Sequence, residues 1–187
     1  MRVISGNFKG KKLLHPSDIK TRPLKDLTKE SIFNIISHSN KFKINIKGSV
    51  ILDLFSGVGS FGIECLSRGA KHVTFIENYV GVLSILKKNL INLNVDERYE
   101  IINQNIFSNT NLLANKKKFD IIFLDPPYKE KKVASLLDNL SNIKLLKNEG
   151  IVIVHRHKKE DDNYSENFKI LEIKRYGISK IVFGVLN

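Results

Sequence analysis

The sequence predicts an α/β chain built on an open, doubly wound sheet, and three observations predict it. From residue 49 onward, short apolar runs alternate with helical patterns. The runs are continuously apolar, as at 151–154 where Ile, Val, Ile and Val follow one another. That composition suits parallel strands covered on both faces. The C-terminal segment breaks the alternation with two strand-like runs around a Gly-containing turn, which requires an antiparallel strand.

The elements follow in order. Residues 49–55 read as a strand ending at a Gly-rich turn, 72–77 as a second, 99–103 as a third, 120–124 as a fourth ending at a Pro-Pro pair, and 150–155 as a fifth. Between them, Leu83, Leu86, Leu90 and Leu93 mark the buried face of one helix, and Val133, Leu136, Leu137 and Leu140 that of another. Alternation of this kind implies right-handed crossovers. Ligands of such sheets bind beyond the carboxyl ends of the strands. Residues 168–176 and 180–186, joined by Gly177-Ile178-Ser179, form the closing hairpin. Residues 1–48 read as an appendage on a sheet domain of residues 49–187. In it, 2–5 and 11–15 flank Gly6-Asn7-Phe8-Lys9-Gly10 as a small basic hairpin, and Ile32, Ile35 and Ile36 mark a helix beginning near Asp26.

A chain of 187 residues, 42% of them hydrophobic, supports one domain with a proper core. No segment approaches the run of about 20 apolar residues that a membrane span needs. The N-terminus turns polar at once, unlike a secretory signal, so a cytoplasmic protein is expected, by default a monomer. Cys65 is the only cysteine. That rules out an internal disulfide and a cysteine-based metal cluster and makes Cys65 a small core residue. The formal charge of +12 suits a polyanionic partner, because Lys and Arg that displace counterions supply sequence-independent affinity. A composition rich in Lys, Asn and Ile gives the same charge without any partner.

Two constellations carry chemistry. The first is Asp53-Leu54-Phe55-Ser56-Gly57-Val58-Gly59-Ser60-Phe61-Gly62. It places G-x-G-x-x-G between a strand and a helix, where glycines permit a tight turn and close backbone approach to a ligand. The following helix N-terminus favours negative charge. Glu77 ends the next strand and can accept hydrogen bonds from ribose hydroxyls. This arrangement fits a nucleoside-bearing cofactor without choosing among NAD, FAD and S-adenosylmethionine.

The second constellation, Asp125-Pro126-Pro127-Tyr128, chooses among them. A rigid strand-ending loop explains the prolines but not the flanking Asp and Tyr. The exocyclic amine of a nucleobase is a poor nucleophile, since its lone pair is delocalised into the ring. Two acceptors that take both N–H hydrogens favour a pyramidal nitrogen and aim its lone pair. Asp125 can supply one and the Pro126 carbonyl the other. Proline fixes its own φ and holds the preceding residue extended, so the acceptors are set beforehand. Tyr128 offers a face on which the base stacks. Neither a metal nor a covalent nucleophile is required.

At these residues the chain resembles class I methyltransferases of the D/N-P-P-Y/F type. More closely it resembles the RsmD family, which methylates guanine N2 in small-subunit (16S) ribosomal RNA. The landmarks run almost end to end: Arg2-Val3-Ile4-Ser5-Gly6, Lys9-Gly10-Lys11-Lys12-Leu13, Thr21-Arg22-Pro23, Glu30 with Phe33-Asn34, Asp53 to Gly57, Leu66-Ser67-Arg68-Gly69-Ala70, Phe75-Ile76-Glu77, Asp125 to Tyr128, and Tyr176-Gly177. The resemblance implies a seven-stranded Rossmann-like sheet with its last strand antiparallel. It also implies that Asp53, Phe55, Gly57 and Gly59 line an S-adenosylmethionine pocket, and that Glu77 holds the ribose. Asn105 would lie near the adenine amine, with Ile106 packed on its ring. Arg2, Lys9, Lys11, Lys12 and Arg22 would face RNA, within a small ribosomal subunit or an assembly intermediate. Without the resemblance, those lysines read equally as a solvated face.

Three positions depart from the family pattern. Asn105 stands where many members carry Asp, Tyr79 where an acid is common, and His155 where an acid is expected. His155 could touch substrate, but reads first as a hydrogen-bonded histidine at a strand end. Three other functions share parts of this pattern. A DNA adenine-N6 or cytosine-N4 methyltransferase uses the same motif but needs additional chain to read sequence. A nicotinamide-dependent oxidoreductase has no use for Asp125-Pro126-Pro127-Tyr128. A non-catalytic RNA-binding protein has no need to keep that motif intact.

Overall fold

A computed structural model describes every residue except 17–23, 96 and 115. The elements are α1 (Asp26–His38), β1 (Val50–Leu54), α2 (Ser60–Ser67), β2 (His72–Ile76), α3 (Val80–Asn92), β3 (Tyr99–Ile102), a 3₁₀ turn (Thr110–Leu113), β4 (Phe119–Leu124), α4 (Val133–Asn142), β5 (Leu146–His157), β6 (Phe168–Tyr176) and β7 (Ser179–Leu186). The strands make one seven-stranded sheet in the order β3-β2-β1-β4-β5-β7-β6. The first five are mutually parallel. β7 runs antiparallel to both β5 and β6. This is the class I methyltransferase arrangement, with the antiparallel C-terminal strand that the hairpin pattern requires.

Alternate residues of the central strands supply two cores. Ile51, Ile121, Phe123, Ile151 and Ile153 face one side, packed with α2, α3 and the N-terminal segment. Leu52, Leu54, Ile122, Leu124, Val152 and Val154 face the other, against α4 and the 3₁₀ turn. Period-two alternation within an all-apolar run is what a sheet covered on both faces demands. Each fully buried Leu, Ile or Phe contributes about 1.5–3 kcal/mol relative to exposure. Cys65 is completely buried in the first core, where burial pushes its thiol pKa well up. Among the described residues no helix is long and apolar enough to cross a membrane.

The described part of residues 1–48 joins the first core. Val3, Leu13, Ile32, Phe33, Ile36, Phe42 and Ile46 share one apolar cluster with the sheet. Phe33 stacks on Phe61 of α2, which stacks on Phe123 of β4, at centroid distances of 5.2 and 4.0 Å. The expected hairpin is present: Arg2 and Lys12 form an antiparallel bridge, Val3 N–H donates to the Lys11 carbonyl and Gly10 N–H to that of Val3, each at 2.9 Å, and Leu13 N–H donates to the Met1 carbonyl at 3.2 Å. The chain that follows Val3 is held by Glu64, fully buried on α2. Its carboxylate accepts the backbone N–H groups of Ile4 at 2.7 Å and Ser5 at 2.9 Å. Arg68 Nε adds a third bond at 2.8 Å. Lys29 of α1, also without exposure, lies 3.6 Å from Glu64 and donates to the Arg2 carbonyl at 2.7 Å.

Candidate active site

A cleft of about 860 Å³ opens beyond the carboxyl ends of β1, β2, β4 and β5, at the position where β1 and β4 adjoin and the strand order reverses. One end is the glycine turn. Phe55 adopts φ 60°, a left-handed conformation for a non-glycine residue, and such strain persists only where surroundings enforce it. Ser56 enforces it here, its hydroxyl donating to the Asp53 carbonyl at 2.7 Å while its N–H donates to the Ile76 carbonyl. Gly57 and Gly59 have φ 55° and 86°. A Cβ on Gly57 would meet nothing within 4 Å, whereas one on Gly59 would lie 2.5 Å from Leu86 Cδ1. Gly57 therefore keeps the cleft open, and Gly59 lets α3 approach. Gly62, where a Cβ would press on Phe75, seats α2 on the sheet.

Two carboxylates organise this turn. Asp53 Oδ2 accepts the Gly62 N–H at 2.9 Å, satisfying one of the unpaired amides in the first turn of α2. Its carboxyl pKa is held well above the usual range, chiefly by burial and further by the nearby Asp125 and Glu77, against the opposing Gly62 bond. Glu77 accepts three backbone N–H groups, from Gly57 on Oε2 and from Asn78 and Tyr79 on Oε1, each at 2.8 Å. A carboxylate offers about four acceptor positions, so Glu77 retains capacity for a ligand hydroxyl.

The other end of the cleft is Asp125, Pro126, Pro127 and Tyr128, following β4. Asp125 Oδ1 lies 2.7 Å from His155 Nδ1, and His155 Nε2 lies 2.9 Å from Ser179 Oγ at the start of β7. Arg156, fully buried, holds the loop from behind. It pairs with Asp162 through Nε and Nη2 at 2.9–3.1 Å, and donates to the carbonyls of Pro127 at 3.2 Å and Glu130 at 2.7 Å. Among the described residues the Pro127 carbonyl is thus engaged, and no hydrogen bond engages that of Pro126. The Tyr128 ring meets His157 edge-on, with centroids 5.3 Å apart.

Asp53, Phe55, Gly57, Glu77, Asp125, Pro126 and Tyr128 all line this one cleft. Gly59 lies behind it as the N-cap of α2. Asn105 and Ile106 do not line it. The Asn105 side-chain oxygen accepts the Phe107 N–H at 3.0 Å, and Ile106 is 2% exposed within the second core. Arg2, Lys9, Lys11 and Lys12 are exposed; Arg22 lies outside the described residues. Pro16, Leu24 and Lys25 also line the cleft, contributors that no periodicity announces. Arg156 and Ser179 also support the site, and no motif marks them. A lone Arg after the apolar run of β5 is the signal for the first, since a buried guanidinium must be paired.

Glu77 and Asp125 in one cleft of a chain with charge +12 favour a cationic ligand there. Among the described residues no group of three or more His, Cys, Asp or Glu could hold a metal ion.

A family model described as "Conserved hypothetical protein 95" matches residues 1–185. Ribosomal RNA small subunit methyltransferase D of Haemophilus influenzae is 35% identical over 179 residues, covering 95% of this chain and 90% of that protein. The solved structure of yhhF from Escherichia coli matches with a TM-score of 0.81 and 28% identity, over 100% of this chain and 98% of that one. SMU.776, solved as a complex with S-adenosylhomocysteine (SAH), shares the fold at a TM-score of 0.64 and 15% identity, over 86% and 50% of the two chains.

Proposed function

The chain belongs to the conserved hypothetical protein 95 family, and from that premise we propose that it transfers a methyl group from S-adenosylmethionine to the exocyclic N2 amine of a guanine in small-subunit (16S) ribosomal RNA. The observation that carries this reading is the junction of two ends in one cleft: a glycine turn braced by Glu77, and Asp125-Pro126-Pro127-Tyr128. The similarity to small-subunit methyltransferase D supports the substrate class. The fold shared with a protein solved with S-adenosylhomocysteine supports the cofactor.

The residues fit that cofactor. Gly57 leaves open space where a side chain would intrude. Glu77 accepts from the ribose, Phe55 and Asp53 close the floor, and the carboxylates suit a sulfonium charge. When bound, the cofactor supplies an electrophilic methyl group. The amine hydrogens are taken by Asp125 Oδ2 and the Pro126 carbonyl, and the base stacks on Tyr128. The guanine leaves its own stack to reach this depth. The N-terminal segment, through Arg2, Lys9, Lys11 and Lys12, faces the RNA backbone; Arg22, outside the described residues, is proposed to join them. Asn105 and Ile106, which follow β3, are proposed to reach the adenine from outside the lining of the cleft. The protein works in the cytoplasm, as a monomer, on a small subunit or its assembly intermediate.

The test is incubation with methyl-labelled S-adenosylmethionine and, in parallel, unmodified small ribosomal subunits, naked 16S RNA and duplex DNA, followed by nucleoside identification. N2-methylguanosine in RNA is the expected product. Label in DNA alone, or no label in any substrate, would overturn the proposal.

A further inference from the structure

The Asp125–His155 contact carries more than the sequence motif does. An ionised carboxylate is acceptor-only, so a separation of 2.7 Å from a ring nitrogen requires a proton between them. His155 therefore donates Nδ1–H to Asp125 Oδ1. In the neutral imidazole Nε2 is then an acceptor, and Ser179 Oγ–H at 2.9 Å is placed to donate to it. The side chain of His155 is 7% exposed and that of Asp125 19%. The carboxylate thus has one oxygen fixed from the protein interior, at the mouth of a cleft that both residues line.

We propose that His155 is a positioning residue for methyl transfer, acting through Asp125, with Ser179 holding the tautomer that this requires. The inference rests on the methyltransferase reading above. With Oδ1 engaged, Oδ2 is left to take one N–H of the target amine. The amine nitrogen forms its new C–N bond as the S–CH₃ bond breaks, and the bonding pair stays on sulfur, leaving a neutral thioether. The nitrogen, now cationic, sheds the proton held by Oδ2. Asp125 becomes the neutral acid and later releases the proton to water. His155 keeps its Nδ1 proton throughout, because Oδ1 of the acid is a carbonyl oxygen and still accepts. A second-sphere donor of this kind is worth having only if it fixes the acceptor before substrate arrives.

A histidine with only a structural role would satisfy its ring nitrogens in the same way, so the test must separate the two. His155→Leu removes the donor. His155→Asn restores one, since the Asn amide nitrogen sits the same number of bonds from Cβ as Nδ1. Both are compared with the unaltered protein by kcat and KM on unmodified small ribosomal subunits, by affinity for S-adenosylhomocysteine and by thermal melting. His155→Leu should lower kcat at least about tenfold, as loss of a hydrogen bond to a charged group implies, with cofactor affinity unchanged. His155→Asn should recover most of the loss. In an Asp125→Ala background, His155→Leu should cost little further, because the two act as a unit. Wild-type kcat in His155→Leu, equal losses in the Leu and Asn variants, or an undiminished effect in the Asp125→Ala background would overturn the inference alone. Absence of transfer by the unaltered protein would overturn the methyltransferase reading with it.

Discussion

Glu77 Oε2 accepts the Gly57 N–H at 2.8 Å, so the end of β2 holds the turn that ends β1. The same carboxylate accepts the N–H groups of Asn78 and Tyr79. It therefore shapes the backbone of two loops while facing the cleft. Glu77→Ala should weaken S-adenosylhomocysteine binding at least about tenfold, from lost hydrogen bonds to a charged group of about 1.5–3 kcal/mol. Glu77→Gln, which keeps one acceptor oxygen, should lose less. Isothermal titration of the two variants checks the order.

Asp125→Ala should leave RNA affinity intact and reduce turnover at least about tenfold. Filter binding with 16S RNA and a label-transfer assay separate the two properties. Unchanged turnover would remove Asp125 from its assigned place.

The two glycines of the turn make different demands. Gly57→Ala meets no atom within 4 Å and should cost only the left-handed conformation, about 1–2 kcal/mol, while weakening cofactor binding. Gly59→Ala adds a clash with Leu86 at 2.5 Å, and should lose about a further 1–3 kcal/mol to overpacking. Urea unfolding of both variants measures the difference. Equal losses would contradict the close approach of α3.

Arg156 and Asp162 form a buried ion pair at 2.9 Å. Arg156→Ala leaves Asp162 buried and uncompensated, and should destabilise by about 3–5 kcal/mol. Lys147→Ala removes an exposed partner of Asp120 and should cost about 1 kcal/mol or less. Both values follow from chemical denaturation. Comparable losses in the two variants would show that burial does not govern the pair.

Burial raises the Asp53 pKa well above the ordinary carboxylate value of about 4. Between that value and the raised one, the folded protein holds a proton that the unfolded chain has released. Stability should therefore fall as pH rises through this window and level off above it. Asp53→Asn removes the titrating group and should lose this slope. Urea midpoints collected from about pH 4 upward provide the check, and an unchanged slope would assign it to another residue.

What was legible in the sequence follows from what is periodic or spaced. β6 occupies residues 168–176 as its pattern predicts, and β4 differs by one residue. β5 is longer than its apolar run because Lys147, Asn148 and Glu149 are exposed yet remain in the strand. No hydropathy signal marks such a polar start, and the β4 register is irregular between Phe119 and Ile121 at the same place. The N-terminal hairpin forms around its glycine-containing turn, with Val3 bonded to Lys11 and Gly10. Glu64, distant in the sequence, claims the amides of Ile4 and Ser5, a contact that no local pattern marks. In the cleft, the glycine turn and the Asp125 motif are contiguous and could be read directly. The Asp125–His155–Ser179 chain joins three strands through residues with no common spacing, and only the fold brings them together.

The position of β7 has a consequence for how the molecule comes into being. β7 is synthesised after β5 and β6 but lies between them. A growing polypeptide that has just completed β6 has no edge on which to lay it, since the strand that β6 pairs with does not yet exist. Domains generally fold as units during synthesis, and here all seven strands belong to one sheet. The outer part must wait for β7, which also brings Ser179 to His155. The last support of the Asp125 carboxylate thus arrives with the last strand, and the nascent chain carries an unfinished site until then.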